Sequence, residues 1–175
     1  MYPYLRLFLE LRRARAMKPL SVTGTHRSRH RCLPWDLDPW IELNNGRTLT
    51  LFDLGRVPLI LRTGLAGLCR EQGWGITVAG SSVRYRRRVR LFDRLDMVSR
   101  CIGWDPRFFY IEQSLWRKGD CTSHMLLRAA ITSSAGIVPP AEVVAALGCT
   151  EPPELPGWVS GWIEAEARRP WPPTH

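Results

Sequence analysis

Between Asp36 and Asn45 the chain places three carboxylates and two amides within ten residues: Asp36, Asp38, Glu42, Asn44 and Asn45. Carboxylates at that density can serve as general bases or nucleophiles. A long apolar run, Leu49 to Leu61, follows at once. Pro39 biases Asp38 toward an extended backbone, and Asn44 or Asn45 is a natural N-cap for a helix over the apolar run. The carboxylates are thereby delivered to a helix N-terminus, where unpaired N–H groups and the positive end of the dipole point outward. A carbonyl seated there would meet an acid–base group and an electrophilic pocket together, with the backbone N–H groups of Gly46 and Arg47 as oxyanion donors. The plainer alternative is that Asp36, Asp38 and Asn45 cap the helix and order a turn.

A second concentration of chemistry is Arg84-Tyr85-Arg86-Arg87-Arg88-Val89-Arg90. On a strand Arg84, Arg86, Arg88 and Arg90 would share one face, and Val83, Tyr85, Val89 and Leu91 the other. Arg87 breaks the apolar face, so the strand should end near Arg86 and the rest should turn. Arg86, Arg87 and Arg88 are then either a solvated surface or a clamp for phosphate groups. No nucleic-acid-binding motif or aromatic platform accompanies them, which argues against nucleic acid as the partner. His26 and His30 share a strand face, and beside Arg27, Arg29 and Arg31 they read as solvated side chains rather than metal ligands. Ser81, Ser82, Ser123 and His124 form no recognisable nucleophile elbow.

The elements that must position these groups follow from periodicity. A basic amphipathic helix opens the chain, with Arg6, Arg12, Arg13, Arg15 and Lys18 around an apolar stripe; it reads as a surface-packed helix, or as a weak peripheral membrane contact. Val22 to Arg31 reads as a strand and Asn45 to Arg56 as a buried helix, with Pro58 kinking it or starting another that stops at Gly73. Period-two patterns then mark strands over Ile76–Arg86, Leu95–Trp104, Phe108–Trp116 and Cys121–Thr132, with Lys118-Gly119-Asp120 as a hairpin signal. Four consecutive strands should pair as an antiparallel meander. A short helix follows Val138-Pro139-Pro140, and a last one carries Trp158 and Trp162. The expected organisation is a basic helix over 1–18, a main domain over 19–150 and a Pro/Trp-rich extension over 151–175.

At 175 residues the chain is one ordinary domain, and 45% apolar with 23% charged residues is a globular composition. The formal charge of +9 calls for an anionic partner. Five scattered cysteines without a CxxC pair fit reduced thiols in a cytoplasm, and neither a disulfide framework nor a metal site. No metal or other cofactor is expected.

The segment Asp36-Leu37-Asp38, then Leu43-Asn44-Asn45 and an apolar helix, resembles the Asp-Thr-Asp…Gly-His-Val-Asn-Asn signature of the 4-hydroxybenzoyl-CoA thioesterase-like hotdog family. The resemblance covers roughly Val22 to Leu147, and the wording around it is similar to bacterial relatives of the thioesterase superfamily member 6 type proteins. The family's Gly-His is Ile41-Glu42 here, and its following tyrosine is Thr48. The resemblance implies an α+β hotdog fold, an antiparallel sheet wrapped around one long buried helix, assembled as a homodimer or homotetramer. It implies an acyl-CoA thioesterase, or a non-catalytic acyl-CoA or acyl-carrier binding protein that kept the fold. It assigns catalysis to Asp38 with Asn44 and Asn45, leaves Asp36 and Glu42 as alternative carboxylates, and gives Arg86, Arg87 and Arg88 to the coenzyme A phosphates. Trp35, Pro39 and Trp40 would partly desolvate Asp38.

Overall fold

The computed structural model describes residues 2–149 and 153–173; Pro152 and the boundary at 150–151 lie outside them. In chain order the elements are α1 (Tyr4–Arg15), β1 (Thr25–Arg31), a 3₁₀ turn (Pro34–Asp36), α2 (Asn45–Arg62), α3 (Leu65–Gln72) and β2 (Gly75–Tyr85). Then come β3 (Arg94–Trp104), β4 (Phe109–Arg117), β5 (Asp120–Ser133), β6 (Gly136–Val138), α4 (Pro140–Ala146) and α5 (Gly157–Arg168).

The long helix α2 is the centre. Asn44 caps it by accepting a hydrogen bond from the Arg47 N–H at 3.1 Å, and Leu51, Phe52, Leu54 and Leu59 are buried along it. Gly55 lets it lie directly on β3, because a Cβ there would collide with Met97 Sδ and Ser99 Oγ. Of the two outcomes expected at Pro58, a second helix does not begin there, and α2 runs through it to Arg62. An interior proline costs about 3 kcal/mol. Burial of Leu54 and Leu59 on either side, at roughly 1.5–3 kcal/mol each, outweighs that cost.

The sheet order is β1-β3-β4-β5-β2, all antiparallel, with β6 extending β5. Only β3, β4 and β5 form a meander. The expectation that β2 pairs with β3 fails: β2 lies at the far edge on β5, because α2 and α3 carry the chain across the sheet before β2 begins. The segment 86–93 must then return past the sheet end to reach β3. Three strand spacings are about 14 Å, well within the reach of eight residues at about 3.3 Å each. The β4–β5 hairpin turns on Lys118 and Gly119, whose φ values of 52° and 89° are those of a type I′ turn.

The sheet's inner face meets α2 over a core that includes Phe52, Leu95, Met97, Leu115 and Met125. On the outer face α5 sets Val159, Trp162 and Ile163 against Ile102, Tyr110 and Leu126. Helix α5 of the C-terminal extension is therefore packed on the sheet.

His26 and His30, expected in solvent, are buried, with 2% and 8% exposure. The reason is α1, which packs against α2 and reaches β1 through Arg6 Nη2, a donor to the Arg31 carbonyl at 3.0 Å. Arg62 Nη1 lies 3.0 Å from His26 Nδ1, so a neutral ring carries its proton on Nε2, which has no acceptor among the described residues. Burial first, then Arg62, lowers the His26 pKa to about 4. Burial, then Arg6, His26 and Arg13, lowers that of His30 to about 3.

Both rings are neutral in the fold but take up a proton near pH 6.5 when unfolded, so their stability is intact above pH 6.5. It drains as the pH falls toward 4 and 3. Between pH 7 and pH 5 each histidine should remove about 2 kcal/mol. Tm measured across that range should fall steeply in the wild-type chain and much less in the His26→Leu/His30→Leu variant. Equal slopes would refute the assignment.

Candidate active site

Leu33-Pro34-Trp35-Asp36 closes a 3₁₀ turn in which the Leu33 N–H donates to Asp36 Oδ2 at 3.1 Å. Asp36 has no exposed surface and is neutralised from two sides. Arg6 of α1 donates to Oδ2 at 2.8 Å, and Arg47 of the first turn of α2 donates to Oδ1 at 2.9 Å. The Asp36 carbonyl also accepts from the Asn44 N–H at 2.9 Å. One aspartate thus fixes α1, the loop and the helix start together. Neither arginine partner is visible as such in the sequence, since Arg6 lies thirty residues away and Arg47 was read only for its backbone.

Two residues on, Asp38 sits in a different environment. A tight turn runs from Asp38 to Glu42: the Asp38 N–H donates to the Glu42 carbonyl at 2.8 Å, and the Ile41 N–H to the Asp38 carbonyl at 3.0 Å. Asp38 Oδ1 accepts from the Trp40 and Glu42 N–H groups at 2.9 and 3.2 Å, while Oδ2 accepts no hydrogen bond among the described residues. Ile41 takes φ 59°, the left-handed conformation that favours glycine, at the place where the signature has glycine. The turn pushes its own apolar side chains outward. Trp35 and Trp40 are 65% and 78% exposed, so within one chain they do not desolvate Asp38 as expected.

At the start of α2 the Arg47 N–H is engaged by Asn44 Oδ1 and the Thr48 N–H by the Asn44 carbonyl. The N–H groups of Asn45 and Gly46 are left without partners among the described residues. Of the two amides expected to serve as oxyanion donors, that of Gly46 is thus unoccupied and that of Arg47 is bonded to the Asn44 side chain. Tyr85 donates its hydroxyl to the Asn45 carbonyl at 3.2 Å, tying the end of β2 to the helix start.

The return segment 86–93 brings the arginines to this point. Arg86 and Arg87 donate their N–H groups to the Thr122 carbonyl at 2.8 and 3.2 Å, and the Leu43 N–H donates to the Val89 carbonyl at 2.8 Å. The result is a cleft of about 260 Å³ bounded by Glu42, Asn45, Thr48, Tyr85 and Arg86–Arg88. Glu42 answers Arg88 at 3.2 Å. Asp38 does not line this cleft; it stands at the base of the turn that presents Glu42. A separate cavity of about 60 Å³, almost wholly apolar, lies toward the C-terminal half of α2 between Leu59, Ile60, Ile76 and Val78, with Arg56 at its side. Arg56 is held by Asp53 and by Gln113 Oε1, the latter at 2.9 Å.

A curled antiparallel sheet around one helix, whose N-terminus opens into a cationic cleft, defines a hotdog-fold protein of the thioesterase-like class. Residues 32–163 match the Thioesterase-like superfamily, and the chain belongs to that family. It is 34% identical over 137 residues to Protein THEM6 of Xenopus laevis, covering 75% of this chain and 64% of that protein. The chain spans less than two thirds of the length of the curated relatives it matches. Among solved structures, a 1,4-dihydroxy-2-naphthoyl-CoA thioesterase from Synechocystis superposes with a TM-score of 0.62 at 9% identity, over 71% of this chain and 95% of that one. A DHNA-CoA thioesterase from Staphylococcus aureus gives 0.60 at 12% identity, over 82% and 91%. At such identities the likeness is one of fold.

Replacing Asp36 removes the carboxylate that two largely buried guanidiniums share. Removing one side of such a group costs about 3–5 kcal/mol. Urea unfolding of Asp36→Asn should show a loss of that size at unchanged m-value, whereas a loss below about 1 kcal/mol, the level of a surface pair, would show that the cluster is solvated.

Proposed function

We propose that the protein is an acyl-CoA thioesterase, hydrolysing an acyl-CoA to the free acid and coenzyme A, and that it works as a homodimer or higher oligomer. The observation that carries this reading is the pair of unengaged N–H groups, Asn45 and Gly46, at the buried helix start beside Arg86–Arg88. Backbone donors at a helix N-terminus suit the oxyanion that forms when a thioester carbonyl is attacked. The neighbouring guanidiniums suit the phosphates of coenzyme A. Asp38 is the proposed catalytic carboxylate. Asp38 stands outside the cleft wall within one chain, so this role requires the acyl carbonyl to lie on the turn's side of the cleft. There Oδ2, with Oδ1 pinned by two N–H groups, would attack the thioester carbon, expelling the CoA thiolate and leaving a mixed anhydride for water to open. Alternatively it removes a proton from the attacking water.

The open edge of β2 supports the oligomer. Its residues are exposed on both faces, and a bare edge strand of that length normally finds a cover. Antiparallel pairing of two β2 strands about a two-fold axis near Gly80 would set the Ile76–Val78 end of one copy beside the Tyr85 end of the other. The apolar cavity of one subunit would then adjoin the cationic cleft of its partner, giving an acyl tail and a nucleotide head adjacent places. Light scattering at micromolar concentration should return at least twice the 20.1 kDa chain mass; a monomeric mass would overturn this.

A second reading, a non-catalytic acyl-CoA or acyl-carrier binding protein, is favoured by the binding of Asp38 Oδ1 into its own turn and by the Glu42–Arg88 pair. One set of assays separates the readings, beginning with a screen of acyl-CoA chain lengths and aryl-CoAs. Asp38→Asn should lower kcat on the best substrate by roughly 10²- to 10⁴-fold, with Glu42→Gln much less affected. Arg87→Ala/Arg88→Ala should raise KM for the CoA ester while leaving hydrolysis of the matching N-acetylcysteamine thioester unchanged. Full activity in Asp38→Asn with loss in Glu42→Gln would move the chemistry to Glu42. No hydrolysis across the screen, with measurable acyl-CoA binding, would establish the second reading.

A further inference from the structure

The helix α1 is docked with its polar side inward. Tyr2, just before it, donates its hydroxyl to Asp53 at 3.2 Å, Arg6 reaches the buried Asp36, and Glu10 and Ala14 are buried. Of its large apolar side chains only Leu7 packs against the main core. Tyr4, Leu5, Phe8 and Leu9 face out, between 42% and 73% exposed. At 100° per residue these four share an arc of about 140° with Arg12 and Arg15. The Arg6–Asp36 pair prevents the helix from rolling to bury them without breaking a buried ionic cluster. Apolar residues occupy the N-terminal half of the outer face and arginines the C-terminal half. Neither Arg12 nor Arg15 has an ion-pair partner among the described residues. Exposed Arg27 and Arg31 lie on β1 beside the helix.

This face stands apart from the β2 edge, since β1 and β2 are the opposite borders of the sheet. A second copy joined through β2 would leave it bare. What it fits is a partner that is apolar and anionic at once over a broad surface. We infer that α1 is a docking face for an anionic lipid bilayer: Tyr4, Leu5, Phe8 and Leu9 enter the boundary between headgroups and acyl chains, and Arg12 and Arg15 meet the lipid phosphates. No helix among the described residues is long and apolar enough to cross a membrane, and in this inference α1 lies along the bilayer surface. The inference does not depend on the proposed activity. It adds a location, because Arg6 joins this helix to the loop that carries Asp38.

Flotation with vesicles tests it, using the full chain. Vesicles of phosphatidylcholine with about a third phosphatidylglycerol should carry the protein up in low salt and release it as salt rises, while pure phosphatidylcholine should bind it weakly. Each basic residue near such a surface is worth about fivefold in binding, so Arg12→Ala/Arg15→Ala should weaken it by about 25-fold. Leu5→Ser/Phe8→Ser should weaken it by at least about tenfold, with Tm and the mass in solution unchanged because both side chains are already exposed. The inference falls if the wild-type chain stays unbound on anionic vesicles, or if the variants float as well as it does. It falls equally if Leu5→Ser/Phe8→Ser lowers the oligomer mass, which would assign the face to a second copy of the chain.

Discussion

A carboxylate with no access to water must be neutralised where it stands, and the requirement of Asp36 organises this end of the molecule. Its two oxygens are shared between Arg6 and Arg47, and its carbonyl holds the Asn44 N–H. One residue thereby fixes the position of α1, the entry angle of the loop and the first turn of α2. The cap on Arg47 follows from that placement, because Asn44 is held where its side chain can reach the N3 amide. With that amide consumed, the first two N–H groups of the helix are the ones left without partners among the described residues. The donor pair at the candidate site is set by a salt bridge that never touches the cleft.

The second determinant is topological. Because β2 lies beyond β5, the chain must cross the end of the sheet to reach β3, and the crossing segment carries Arg86, Arg87 and Arg88. Had β2 paired directly with β3, a two-residue turn would have sufficed and the arginines would lie on an outer edge. Instead the Thr122 carbonyl catches two of their backbone amides and the Leu43 N–H meets the Val89 carbonyl, pressing the basic run against the helix start. The cleft is the space left between a helix N-terminus and a strand crossover.

These two facts also mark where the sequence could be read and where it could not. The buried helix, a cap at Asn44 or Asn45, the hairpin at Lys118-Gly119 and five of the six strands among the described residues follow from local signals: period, capping side chain, turn glycine. The order of the strands does not, because period two says that β2 is a strand and nothing about its neighbour. Burial of His26 and His30 was illegible for a related reason. Their flanking arginines point to solvent on alternate positions, and only the docking of a distant helix removes water from the other face. For the site, the cluster of carboxylates and the arginine run were both visible. That Asp36 and Asp38 differ in environment depends on a 3₁₀ turn followed by a tight turn, and on an arginine thirty residues away.

The tight turn is also where the chain departs from its family signature, and the departure has a definite cost and consequence. A β-branched residue held at positive φ is strained by roughly 1–2 kcal/mol, which Ile41 bears in place of glycine. The two N–H groups donated to Asp38 Oδ1 and the backbone bond to Glu42 offset that strain, at about 1 kcal/mol for each neutral bond and more for those to an ionised acceptor. With the turn so closed, Glu42 is carried to the cleft wall, within 3.2 Å of Arg88. A carboxylate there supplies an internal counter-ion for a run of three arginines. Any phosphate entering the cleft must compete with it for Arg88, while Arg86 and Arg87 have no such rival within the described residues. With Ile41-Glu42 in place of Gly-His the turn closes with Ile41 at positive φ, and the carboxylate at Glu42 pairs with Arg88 and leaves Arg86 and Arg87 without an acidic partner among the described residues.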